Sequence, residues 1–190
     1  MIESIPSFIS DAHVTEDIFA IQAKEDDTAE VMALLIQTAE WFKRNGSTQW
    51  SGLLQGEDSH NTKDAIVRGQ VYGFRSGSRA NALAGIVMLL QQPSAWDREL
   101  WGEEGHEGAA YLHRLAISRD FGGMRLGEHI MQWAERGVRF PGQDRIRLDC
   151  INSNPFLNSF YRKAGYSYMG EAFIAVTSLG FSKFEKVVSR

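Results

Sequence analysis

Cysteine is almost missing from this chain. Cys150 is the one thiol in 190 residues, so no internal disulfide can form, and no Cys/His spacing suits a zinc ion. A reducing compartment and a metal-free fold are the expectation. Long apolar runs are missing too: no stretch approaches the roughly 20 residues of a membrane span. Residues 1–14, interrupted by Glu3 and Asp11, lack the basic-then-apolar order of a signal peptide. A cytoplasmic location with no membrane partner follows as an expectation. The formal charge of −4 offers no basic footprint for nucleic acid and leaves room for a cationic amine as ligand. Repeats and low-complexity tracts are absent. So are the two common phosphate motifs, because the glycines at 122, 123 and 127 form neither G-x-x-x-x-G-K-[ST] nor G-x-G-x-x-G.

What is present suffices for one folded domain. With 43% hydrophobic residues the chain can bury a real core, and residues 15–190 read as a single domain behind a loosely ordered extension, 1–14. Asp17 to Ala23 reads as a strand. Asp27 and Glu30 suit a capping box for a helix through Arg44, with Val31, Leu34, Leu35, Thr38 and Phe42 inward. A short helix over 63–68, capped by Asn61 or Thr62, and strands over 70–75 and 82–90 follow, then a long loop, 92–108. The remaining order is strand, helix, strand, helix and a closing strand pair through Val188. This predicts an α+β domain with a mixed, mostly antiparallel sheet.

The densest signal is Leu112 to Gly127, LHRLAISRDFGGMRLG. Leu112, Leu115 and Ile117 carry strand character, 118–121 form a turn, and from Met124 onward Leu126, Ile130, Trp133, Ala134 and Gly137 recur at helical spacing. The glycine pair therefore sits where a strand joins a helix N-terminus. Unblocked amides there suit a phosphate or pyrophosphate, while a tight turn using glycine for positive φ is the competing reading. Downstream, RIRLDCI (145–151) alternates as a half-buried strand does. Asn154 is a good N-cap, Pro155 a good first helical residue and Gly165 a natural stop. A second strand-to-helix joint thus follows the first, and the two strands can lie side by side and splay apart to admit a ligand.

This succession, with Phe-Tyr-x-Lys-x-Gly-Tyr over 160–166, resembles the GCN5-related N-acetyltransferase (GNAT) superfamily, specifically over residues 109–170. The resemblance implies the GNAT fold, a mixed sheet flanked by helices with splayed central strands. It also implies transfer of an acetyl group from acetyl-CoA, as co-substrate, to an amine. The family's pyrophosphate loop reads Gln/Arg-x-x-Gly-x-Gly/Ala. Aligned on Gly127, this chain has Gly122 for the Gln/Arg and Arg125 for the first Gly, and Arg125 is a candidate to pair with phosphate. The implied CoA contacts are Leu115, Ala116 and Ile117, the loop Gly122, Gly123, Met124, Arg125, Leu126 and Gly127, and Asn154, Asn158 and Tyr161. Tyr161 is implied as the acid that protonates the CoA thiolate.

For the base, alternation sets Tyr111, His113, Leu115 and Ile117 on one strand face. His113 titrates near neutral pH and suits a base, or it is a hydrogen-bonded core residue. Glu103, Glu104 and His106 in the long loop are second choices. Trp50, Trp101 and Tyr111 are candidates to wall the acceptor amine by cation–π contact, packing being the alternative for Trp41, Trp50, Trp96 and Trp101. The expected partners are acetyl-CoA and an amine, with room for a homodimer. A catalytically silent acyl-CoA-binding module and a structural domain are the competing function classes.

Overall fold

The computed structural model of the protein describes residues 7–175 and 178–188. Seven strands form one mixed sheet in the order β1-β2-β3-β4-β5-β7-β6. By compactness the chain divides into two units, Met1–Met88 with Arg114–Val138, and Leu89–His113 with Arg139–Arg190.

The first unit starts with β1 (Ile18–Gln22), antiparallel to β2 (Val71–Ser76) from Ile18↔Ser76 to Gln22↔Tyr72, and β2 is antiparallel to β3 (Leu83–Leu90). Helix α1 (Thr28–Arg44) buries Val31, Leu34, Leu35, Thr38 and Ala39, the apolar stripe its periodicity predicts, while Phe42 is only half-buried. The expected capping box does not form. The Asp27 carboxylate accepts from the Lys24 amide (2.8 Å) and from Arg75 (2.8 Å), and Glu30 holds the same guanidinium at 2.7 Å. Charge-assisted bonds to a guanidinium outweigh a neutral cap. Helix α2 (Thr62–Val67) follows its expected cap position, and α4 (Leu126–Arg136) seats Trp133 against Tyr72 and Phe74. Of the expected extension 1–14, residues 1–6 lie outside the described residues. Beyond them Ile9 bridges Val138, and the Trp133 indole donates to the Asp11 carbonyl at 2.7 Å.

The second unit holds β5 (Arg145–Ile151), antiparallel to β7 (Leu179–Val187) through seven registered pairs, with β6 (Ser167–Ile174) outside β7. Strand β4 (Ala109–Ile117) runs parallel to β5, and its registered pairs cover its first three residues, Ala109↔Arg145 to Tyr111↔Arg147. Three residues further on, Arg114 adopts φ +54°, a left-handed residue inside a strand. That interrupts the pleat, so the single face expected for Tyr111, His113, Leu115 and Ile117 is not continuous. The stretch expected as a long loop contains helix α3 (Ala95–Trp101). Its signal was readable as Ser94 three residues before Asp97, a capping box in which each side chain bonds the other's backbone amide. Helix α5 (Pro155–Lys163) begins as its sequence dictates, with the Asn154 side chain accepting from the Leu157 amide at 3.1 Å. No helix among the described residues is long and apolar enough to cross a membrane.

Candidate active site

In the first unit, Gly85 of β3 leaves room for the Ala116 carbonyl of β4, which a Cβ would meet at 2.9 Å. The Ser118 amide donates to Ala84 (2.9 Å), and a single helical turn, 119–121, is pinned from both sides. Arg79 donates to the Asp120 carbonyl (2.8 Å) and covers the Phe121 ring, while Arg119 stacks over Trp41 at 3.9 Å. The chain then turns through Gly123 (φ +78°) and Arg125 (φ +53°) into α4. The Gly122 amide donates to Arg119, and those of Glu128 and His129 donate to Arg125. Between them the five amides of residues 123–127 have no acceptor among the described residues, and residues 122–125 are exposed. A Cβ on Gly123 would meet nothing within 4 Å. Five consecutive donors at a helix N-terminus suit an anion. The Arg125 guanidinium, expected to face phosphate, pairs with Glu128 one turn along.

In the second unit, β5 separates two different environments. Arg147, Asp149 and Ile151 point to one face, and Ile146, Leu148 and Cys150 are buried on the other. On the first face, α3 delivers Asp97 to His113. The His113 Nε2 lies 3.0 Å and 3.2 Å from the two Asp97 oxygens, and the Ser94 amide (2.8 Å) and hydroxyl (2.7 Å) donate to the same carboxylate. Burial alone would raise the Asp97 carboxyl, but the hydrogen bond and charge of His113, with the Ser94 donors, bring it below the usual value. An ionised carboxylate only accepts, so Nε2 carries a proton. Asp149 completes the group: a carboxylate oxygen of Asp97, a ring nitrogen of His113 and a carboxylate oxygen of Asp149 all lie within 4.8 Å of one another. The Trp96 indole donates to Asp149 at 3.3 Å and stands edge-on to Phe181. Burial, reinforced by the Asp97 charge and opposed by His113, pushes the Asp149 carboxyl up to about 6.

On the other face of β5, Tyr161 of α5 is buried beside Phe184, whose cross-strand partner is Leu148. Its hydroxyl makes no hydrogen bond among the described residues, and burial raises the phenol above its ordinary value. Cys150 beside it is pushed up to about 12, chiefly by burial, which leaves the thiol unreactive. The Asn158 carboxamide donates to the carbonyls of Ile151, Asn152 and Asn154, at 2.8 Å for the last, so it ties β5 to α5 as Asn154 caps it. Acid and base candidates thus lie on opposite faces of one strand.

The aromatic candidates are already engaged. Trp50 meets Phe42 edge-on and lies under Arg114, whose guanidinium pairs with Asp58 at 3.0 Å. Both Arg147 (4.5 Å) and Lys183 (5.3 Å) lie over the Trp101 ring. The Tyr111 hydroxyl bonds His106 and accepts from Arg147 at 3.2 Å, while Glu103 and Glu104 are exposed beyond α3. Asp97 and Asp149 are the functional candidates that reading the sequence missed. Asp97 was hidden in a segment read as loop, and Asp149 in a strand read for alternation alone.

The acetyltransferase (GNAT) family model matches residues 31–166. The uncharacterized N-acetyltransferase YesJ of Bacillus subtilis (strain 168) is 44% identical over 181 residues, 95% of this chain and 96% of that protein. A GNAT-family acetyltransferase structure from Listeria monocytogenes 4b F2365 is 35% identical, with TM-score 0.72 over 90% of this chain and 95% of that one. The PaiA N-acetyltransferase of Thermoplasma acidophilum, solved with coenzyme A, shares the fold at 16% identity, with TM-score 0.62 over 87% and 97% of the two chains.

Proposed function

Since the chain belongs to the acetyltransferase (GNAT) family, we propose that it moves the acetyl group of acetyl-CoA directly onto a primary amine of a small molecule or peptide. The observation that carries the CoA assignment is the run of five unpartnered amides over 123–127, which opens on the exposed residues Gly123, Met124 and Arg125. These donors suit a diphosphate, and because they are main-chain groups they do not depend on the side chains that depart from the family loop. Gly122 shapes the entry to this run. Leu115, Ala116 and Ile117 offer strand amides and carbonyls to the pantetheine arm, as an added strand would take them. Asn154 and Asn158, at the start of α5, are the further proposed contacts of that arm.

The chemistry needs a proton acceptor for the ammonium group and a donor for the departing thiolate. Tyr161 is the donor. Burial keeps its phenol protonated across the working pH range, as a donor must be. The cluster that His113 forms with Asp97 and Asp149 removes the first nitrogen proton. The nitrogen lone pair then forms the C–N bond, the C–S bond breaks, and sulfur takes the electron pair with the phenolic proton. The second nitrogen proton restores the phenol. Trp50, Trp101 and Tyr111 are the proposed acceptor-side residues, with their own cations holding them in place. A cytoplasmic setting fits the single buried thiol.

A silent acyl-CoA sensor is the second reading, favoured by the pairing of Arg125 with Glu128 and not with an anion. Two measurements decide. Saturating CoA should raise the Tm by mass action, and an unchanged Tm contradicts both readings. Release of free CoA thiol with a panel of primary amines separates enzyme from sensor, since a sensor binds and releases nothing.

A further inference from the structure

The sheet face under α3 holds three ionisable groups where the reaction calls for one base. Asp97 is 1% exposed and His113 6%, and each is committed to the other, with the Ser94 amide and hydroxyl both donating to the Asp97 Oδ2. Asp149 is the only partly exposed member of the three. Its fixed contact is one indole N–H, from Trp96, which leaves carboxylate capacity for a second donor. Building on the acetyl-transfer reading above, we propose that Asp149 is the general base, the group on which the acceptor's ammonium docks and to which it gives its proton, while the Asp97–His113 pair acts as its positioning and tuning element.

The balance is simple. The ammonium proton passes to the Asp149 carboxylate, the freed nitrogen lone pair attacks the acetyl carbonyl, the C–S bond breaks with sulfur taking the electron pair and the Tyr161 proton, the second nitrogen proton restores the phenol, and Asp149 returns its proton to water. A carboxyl that titrates at about 6 is ionised at neutral pH yet basic enough to hold the proton in passing. His113 and Asp97 act from β4 and α3 with opposite signs. Lys183 faces Asp149 across the β5–β7 ladder, its ammonium over Trp101. Arg147, two residues along on the same face, is neutralised by Glu185 at 2.8 Å. Cys150 and Tyr161 lie behind the strand and stay protonated.

The test is the pH dependence of kcat/KM, using phenethylamine, cadaverine and an alanine-initiated tripeptide as acceptors and taking the fastest forward. In the wild type the acidic limb should bend near pH 6. Asp149→Asn should cut kcat/KM by about 10²-fold or more and remove that limb. His113→Gln should keep the limb and move it to higher pH, because the cation that lowers Asp149 is gone. Loss of the limb in His113→Gln with its survival in Asp149→Asn would make the histidine the base and overturn the proposal. A direct readout needs no acceptor: the infrared carboxyl stretch of wild type minus Asp149→Asn should titrate near pH 6, and a midpoint below about 4.5 overturns the assignment. Wild type that releases no thiol with any of these amines sinks the acetyl-transfer reading itself. Turnover with an unmoved limb in Asp149→Asn sinks the base assignment alone.

Discussion

The loop over 118–127 and the cluster beneath α3 solve different problems with different parts of the chain. The loop presents backbone: its donors are amides, its shape comes from Gly123 and a left-handed Arg125, and its exposed side chains are replaceable. The cluster presents side chains brought from α3, β4 and β5, each holding another in place. A backbone site tolerates sequence drift. A side-chain network does not, because removing one member leaves its partners buried and unsatisfied.

The sharpest way to break that contrast is Asp97→Ala. It removes the α3 capping box and strands His113, so urea denaturation should show a loss of about 3 kcal/mol. A loss under about 1 kcal/mol would mean the cluster is not a network. Next comes Tyr161→Phe, which should lower kcat about 10²-fold while the Kd for CoA changes less than about twofold. Weakened CoA binding with unchanged kcat contradicts the acid role.

Asp149→Asn probes the cluster through stability. The folded pKa of Asp149, about 6, lies above the ordinary value of an aspartate, so its contribution is full below the unfolded pKa and is lost as pH rises through 6. The asparagine variant escapes that loss. It should be more stable than wild type at pH 8 by about 1–2 kcal/mol, with the advantage gone at pH 4, as paired thermal melts would record. In the loop, Gly123→Val should weaken CoA binding about tenfold by crowding the donors and straining a positive φ, measured by calorimetry. Arg125→Ala should matter least. Its solvent-exposed pair with Glu128 adds little to stability, so the melting temperature should hardly move, and a large change would show that the loop depends on side chains after all.

Legibility in the sequence follows the same division. Glycine, N-cap and apolar-period signals are local, so β5, α4, α5 and the amide-bearing turn could be read from residues a few positions apart. The alternation within β5 was also legible, down to the buried Cys150. Which groups meet across the sheet was not. Asp97 and His113 are 16 positions apart, and Asp149 meets them only through a parallel pairing of β4 with β5 that no local pattern encodes. The bulge at Arg114 escaped for a related reason, since an arginine carries no local signal for positive φ. Even local signals mislead where a long-range charge competes, as when Arg75 takes Asp27 from its helix.

Whether the five amides hold a diphosphate is tested residue by residue by a titration of the nitrogen-15-labelled protein with CoA. Large shifts of the Gly123 to Gly127 amide signals, saturating together with the change in Tm, are the predicted result. Binding of CoA with those five signals unmoved would contradict it.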